Sequence, residues 1–263
     1  MLKKIPTIVA LIILSTICSS TSYSEISLED VYRDTIINDV TLNVPSEYAT
    51  VQDALSFLDD KRIATGFTVS IQIANGTYSN YESIYVSHND GNRINIIGNT
   101  SSPSSVIIEF DSNKIGVHCD YSKVLGLING ITLKSDGTGT GILANRCSMI
   151  GVGSAVTIEN FNIGLNAAWG STILANGITV KSNGTHGVLA HSAQISLSGV
   201  TIQSNGNGVY ANANSNIQFE NGSCSSNTYG VRSHRNSYVD TTGTTYSGNT
   251  TDTDAAYSGA IGD

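Results

Sequence analysis

GITVKSNGTHGVLAHSAQISLSGVTIQSNGNGVYANANSNIQFENGSCSSN, residues 177–227, repeats one short pattern. Asn183, Asn205 and Asn227 stand 22 residues apart (205 − 183 = 227 − 205 = 22), and Asn249 continues the series. Val180, Ile202, Cys224 and Tyr246 come three residues before these asparagines, and Thr179, Thr201, Ser223 and Thr245 four before. A second segment opens with glycine and an apolar residue, as Gly141-Ile142, Gly164-Leu165, Gly187-Val188, Gly208-Val209 and Gly230-Val231. A third carries Ile195 and Leu197, Ile217 and Phe219, and Val239. Three short strands with alternating side chains cannot bury their apolar positions inside one such unit, so the units must stack. Each strand then pairs in parallel with its counterpart one turn away, roughly 4.7 to 4.9 Å off, and like residues lie over like. An asparagine suits the turn, because it accepts a left-handed backbone at low cost and its amide can hydrogen-bond along the stack.

The rest of the chain fits that reading. Of 263 residues only 13% are charged, while 26 are glycine. Helical bundles need more charge and less glycine, whereas strands broken by tight turns favour glycine and asparagine. Thirteen Lys and Arg against 21 Asp and Glu give a net charge of −8, the wrong sign for a nucleic-acid partner. Upstream of the repeat, Val51, Ala54, Leu55 and Leu58 fall at i, i+3, i+4 and i+7 and predict a short helix at about 50–61. Strands are expected at 40–44, 67–73, 83–86, 93–97 and 106–110, with turns at Asn75-Gly76 and Asp90-Gly91.

Lys3 and Lys4 precede an apolar run up to Ile17, and Ser22-Tyr23-Ser24 places small residues at a cleavage site. This is the layout of a secretory signal peptide, and the run is short of the roughly 20 residues that span a bilayer. The expected organisation is therefore a signal at 1–24, a leader at 25–47, a β-helix with its capping helix at 48–250 and a C-terminal tail at 251–263. No membrane span remains after signal removal, and the expected location is secreted, periplasmic or cell-surface. The mature chain keeps Cys119, Cys147 and Cys224 with no C-x-x-C pair, so a thiol metal or redox site is not expected. Cys119 and Cys224 fall in inward columns and read as core filler.

The G-[IV]-T-[IV] strand, the asparagine turn and the following G-V strand resemble the right-handed parallel β-helix of the pectin-lyase-like superfamily. Thr50-Val51-Gln52-Asp53-Ala54-Leu55, Asn75-Gly76-Thr77-Tyr78 and Arg93-Ile94-Asn95-Ile96-Ile97-Gly98 are similar to the cap and first coils of pectinesterases and of phage tail-spike and tail-fibre proteins. The resemblance implies an all-β, single-stranded parallel β-helix with a short N-terminal capping helix. It says little about function, because this fold carries lyases, hydrolases, esterases, spikes and adhesins.

In the repeat, Ile142, Leu165, Val188, Val209 and Val231 are expected inside, with Ala144, Ala167, Ala190, Ala211 and Ser233 two residues on. On the Thr strand, Thr132, Thr157, Thr179 and Thr201 face out beside Lys134, Glu159, Lys181 and Gln203. Opposite charges on neighbouring strands explain the second column without a ligand, and a charged neighbour argues against an ice-binding threonine array. The outer face of the G-V strands is the better recognition surface. Its two columns are His118, Leu143, Asn166, Leu189, Tyr210 and Arg232, then Asp120, Asn145, Ala168, His191, Asn212 and His234, with Trp169 at the edge. Aromatic rings beside amides, imidazoles and a guanidinium can stack on a sugar and bond its hydroxyls. Tyr210, Arg232, His191, Asn212, His234 and Trp169 are the expected glycan contacts; an ordinary polar wall is the plainer alternative.

Chemistry that needs a carboxylate pair finds little support. Between Tyr121 and Val239 the only acids are Asp136, Glu159 and Glu220, in different columns, whereas glycoside hydrolysis needs two within about 5 to 10 Å. Asp111 with Asp120, or Glu109 with Asp111, is a residual pair near the first coils, and solvated turn residues are the plainer reading of each. His191 and His234 lie two turns apart, too far to share a metal, and neither metal nor cofactor is expected. Serine-triad, P-loop and dinucleotide fingerprints are absent. The leading expectation is a non-catalytic, adhesin- or spike-like β-helix that binds polysaccharide or cell-surface glycan. A polysaccharide lyase or glycoside hydrolase is the second reading, with no catalytic residue assigned. A structural subunit, homotrimeric like spikes, is the third.

Overall fold

A computed structural model describes residues 34–263. The expected signal peptide and the leader up to residue 33 lie outside the described residues. From Val40 onward the chain winds as a right-handed parallel β-solenoid of about 10 turns, an all-β fold. It visits three sheets in rotation. Sheet 1 holds ten strands from Val40–Val44 to Ala260–Gly262, sheet 2 eight from Gly76–Tyr81 to Thr245–Ser247, and sheet 3 eight from Ile84–Tyr85 to Thr251–Ala256. One coil, for example, is Gln194–Ser198, Thr201–Gln203 and Asn207–Asn212. Every pairing is parallel and joins consecutive coils.

Register turns the repeat into vertical files. Val188 pairs with Val209 and Val209 with Val231 on sheet 3, and Val180 pairs with Ile202 and Ile202 with Cys224 on sheet 2. Ile173, Ile195, Ile217 and Val239 do the same on sheet 1. All of these are buried, as is the small-residue file Cys119, Ala144, Ala167, Ala190, Ala211 and Ser233. The core is one column of stacked apolar side chains. The glycine that precedes each inward valine has a steric cause. A Cβ on Gly208 would stand 2.5 Å from the Gly230 carbonyl oxygen and 2.8 Å from Cys224 Sγ.

The asparagine file is a continuous internal ladder. Asn183 Nδ2 donates to Asn205 Oδ1, Asn205 Nδ2 to Asn227 Oδ1 and Asn227 Nδ2 to Asn249 Oδ1, each at 3.0 Å. Asn183, Asn205 and Asn227 are buried. Phe161, one coil earlier, takes the place of the next asparagine, and its N–H still donates to Asn183 Oδ1 at 3.0 Å. The left-handed turn residue, however, is the one before: Ser182, Ser204 and Ser226 have φ of 57°, 58° and 58°. The asparagine is thus selected for its inward amide and not for its backbone. Seryl residues carry the turn's strain, and Gly248 (φ 64°) relieves it in the last coil.

Several boundaries differ from the sequence reading. The strand expected at 40–44 is present as Val40–Val44 and opens sheet 1, so the solenoid begins inside the expected leader. Gly76, expected only as a turn, opens the strand Gly76–Tyr81. The segment 251–263, expected as a tail, forms the strands Thr251–Ala256 and Ala260–Gly262, which pair with the coil before. There Thr251, Thr253 and Ala255 continue the register of Tyr229, Val231 and Ser233; the apolar signal fades while the backbone pairing persists.

The helix spans Val51–Leu58 and buries Val51, Ala54, Leu55 and Leu58. A capping box starts it: Asp53 N–H donates to Thr50 Oγ1 at 3.1 Å and Thr50 N–H to Asp53 Oδ2 at 3.0 Å. Residues 59–61 leave the helix, three short of the expected end.

Candidate functional site

The outer face of sheet 3 carries two files. The first runs His118, Leu143, Asn166, Leu189, Tyr210, Arg232 and ends on Asp254. In the second, Ala168 pairs with His191 and His191 with Asn212. Because each rung is roughly 4.8 Å high, residues 22 apart in the chain become close neighbours.

At the C-terminal end of these files a polar and aromatic node forms. Arg232 Nε donates to Asp254 Oδ2 at 2.8 Å, and Nη1 reaches Asn207 Oδ1 at 3.4 Å. The guanidinium lies 4.2 Å over the Tyr229 ring and 5.5 Å over that of Tyr210. His234 Nε2 meets the same Asp254 oxygen at 3.2 Å. A carboxylate accepts only, so Nε2 carries a proton, and Nδ1 lies 3.4 Å from the Tyr210 hydroxyl, which can donate to it or accept from it. His186 stacks on Tyr210 with centroids 5.3 Å apart, and the Asn207 amide donates to its Nδ1 at 3.0 Å.

Charge in the node is internally balanced. Burial, with Arg232 nearby, holds the His186 imidazole down to about 4, so it is neutral at physiological pH. Burial opposes ionisation of Asp254, but the hydrogen bonds from Arg232 and His234 outweigh it and leave its carboxyl below the ordinary value.

A second charged pair stands at the other end of the wall. Asp120 is buried and accepts from Arg146 Nη1 at 2.8 Å and from Tyr121 N at 2.8 Å. His118 packs at a tilt against Tyr85 with centroids 5.2 Å apart, and burial pushes its imidazole below the ordinary value. Between the two ends lies a quieter stretch with Leu143, Asn166, Ala168 and Leu189. There Trp169 is 58% exposed and meets His191 edge-on at 5.0 Å.

Of the residues expected as contacts, Tyr210, Arg232 and His234 form the node. His191 and Trp169 form a separate pair, and Asn212 sits next to His191 with its Oδ1 shielded and unpartnered. Asp254, Tyr229, His186 and Asn207 were missed. Adding 22 to 232 gives 254, so the period itself points to Asp254 once the array is continued past residue 250.

Several acids elsewhere are already paired. Asp120 and Asp254 are six rungs apart, roughly 29 Å, beyond the separation of a hydrolytic pair. On sheet 2, a shallow depression is lined by Glu109, Asp111, Lys134 and Asp136. Hydrogen bonds from Ser79 and Lys134 draw Glu109 down, and those from Ser112 and Thr138 hold Asp136 at about 2. Neither retains a proton near neutrality. Salt bridges Lys134–Glu109 at 3.0 Å and Lys181–Glu159 at 2.9 Å join neighbouring strands beside the aligned Thr132, Thr157, Thr179 and Thr201. Among the described residues no three His, Cys, Asp or Glu side chains gather as a metal site, and no helix is long and apolar enough to cross a membrane. Cys119 and Cys224 are buried and Cys147 is exposed.

The chain matches no family profile, no curated protein and no solved structure.

Proposed function

We propose that this protein is an exported, non-catalytic β-helix whose sheet 3 wall binds polysaccharide or a cell-surface glycan, in the manner of adhesins and tail-spike-like proteins. The observation that carries the reading is the node of Tyr210, Arg232, His234 and Asp254, where aromatic faces stand beside hydrogen-bonding groups and an internally paired guanidinium and carboxylate on a rigid support. Such a surface matches a sugar, which offers apolar C–H faces and hydroxyls that both donate and accept. Rigid strands keep the ordering cost of binding low. The β-helix fold is compatible with these roles and with the pectin-lyase-like likeness of the repeat; the signal-like sequence that opens with Lys3-Lys4 supports export.

The test is a glycan array probed with the full chain and with a Tyr210→Ala, Arg232→Ala double variant of unchanged circular dichroism. Binding that drops at least tenfold in the variant supports the assignment. Binding that is unchanged counts against it.

A further inference from the structure

We propose that the turn edge bordering sheet 3 is a row of stacking platforms for an extended, uncharged β-(1,4)-linked polysaccharide lying along the solenoid axis. This deepens the glycan-binding reading and rests on it.

Each turn that follows a sheet 3 strand enters the left-handed region at the same height, and in all but the Ser192 turn the next residue is left-handed too. In order the entry residues are Tyr121 (φ 53°), Arg146 (49°), Trp169 (53°), Ser192 (51°), Ala213 (57°), Arg235 (53°) and Tyr257 (52°). Backbone bonds align them rung to rung: Ser122 N to Arg146 O at 2.9 Å, Cys147 N to Trp169 O at 2.9 Å, Gly170 N to Ser192 O at 2.7 Å, Asn214 N to Arg235 O at 2.9 Å and Asn236 N to Tyr257 O at 3.3 Å. Tyr121, Trp169 and Tyr257 thus share one file, and they are 64%, 58% and 78% exposed.

A bulky ring at positive φ is sterically disfavoured, and strain held in place by its surroundings marks functional positions. Ser192 and Ala213 make the same turn without a ring, so the backbone does not require one. Burial does not require one either. Each ring is nevertheless braced. The Arg146 guanidinium lies 4.5 Å over Tyr121, His191 meets Trp169 edge-on at 5.0 Å, and His234 meets Tyr257 edge-on at 5.8 Å.

The spacing selects the ligand. Tyr121 and Trp169 are two rungs apart, roughly 9 to 10 Å, and Trp169 and Tyr257 four, roughly 19 Å. In an extended twofold chain of β-(1,4)-linked pyranoses, every second sugar turns the same face to one side, and one sugar is about as long as one rung. Platforms at even rung intervals therefore meet equivalent sugar faces. Charge points the same way. Arg146 is neutralised by Asp120 at 2.8 Å, and with a net charge of −8 the chain as a whole disfavours polyanions such as polyuronates.

The experiment is a pull-down of the full chain on insoluble cellulose, mannan and chitin, with starch granules and immobilised polygalacturonate alongside. Trp169→Ser and Tyr257→Ser, singly and together, are the variants, since Ser192 already occupies an equivalent turn. The expected result is retention on at least one β-(1,4) polymer, a severalfold loss for each single variant and at least tenfold for the pair. Retention within twofold in the double variant overturns the proposal, as does preference for starch or polygalacturonate. A fall in oligomer mass on light scattering in the ring variants also overturns it, by making the rings a self-association surface. If ring variants bind normally while Tyr210→Ala, Arg232→Ala does not, this proposal fails and the glycan reading stands; if no glycan binds, both fail.

Discussion

Asn227 Oδ1 accepts two hydrogen bonds from one residue of the preceding coil, from Asn205 N–H at 2.9 Å and from Asn205 Nδ2 at 3.0 Å. The same oxygen pattern recurs between Asn183 and Asn205 and between Asn227 and Asn249. In a water-free interior such a chain satisfies backbone donors that the turn would otherwise orphan, and its members support one another.

Asn205→Ala therefore removes more than one contact. Asn183 N and Nδ2 lose their acceptor, and Asn227 Oδ1 loses the Nδ2 donor while keeping the backbone N–H of residue 205. Chemical denaturation is expected to show a loss of about 2–4 kcal/mol. A loss below about 1 kcal/mol would mean that the ladder is ornamental to stability.

Ser204 has φ 58°, and a left-handed seryl residue costs about 1–2 kcal/mol. Glycine removes that strain but gives back roughly 0.5–1 kcal/mol of unfolded-chain entropy. Ser204→Gly is expected to raise the unfolding free energy by a few tenths to about 1 kcal/mol, while Ser204→Val lowers it. A shift of Tm in the opposite direction for the glycine variant would contradict the strain assignment.

His186 titrates at about 4 in the folded chain because burial disfavours its charged form. Its unfolded value is near 6.5. The native state binds fewer protons, so the associated stability is full above about pH 6.5 and is lost as pH falls towards 4. Stability measured against pH should decline across that window by about 3 kcal/mol, and His186→Gln should flatten the decline. An equal decline in both proteins would place the titrating group elsewhere.

The period was plain in the sequence because the residues that keep it, Asn183, Asn205 and Asn227 among them, are each fixed by the coil above and below. The same logic made the inward files of sheets 2 and 3 readable. What escaped was coded in short polar residues. Ser171, Ser215 and Ser237 also recur on the 22-residue spacing, with Ala193 in line, and form a second buried file; Ser215 N donates to Ser237 Oγ at 3.0 Å and Ala193 N to Ser215 Oγ at 3.2 Å. Serine is so common in this chain that its periodicity hides. Strand 251–256 escaped for a related reason, since threonine and alanine stand where valine and serine pointed inward. The wall was legible as columns, but the node was not, because Arg232 and His234 meet only through Asp254, a residue beyond the span that hydrophobicity marked out.

The interchangeable registry of the coils has an evolutionary corollary. Inserting or deleting one 22-residue stretch between Ser182 and Asn249 would leave every interior neighbour satisfied while sliding Trp169 and Tyr257 one step closer or farther. Gene length in this region acts as a ruler, and reach along the molecule can be retuned by duplication without inventing any new fold.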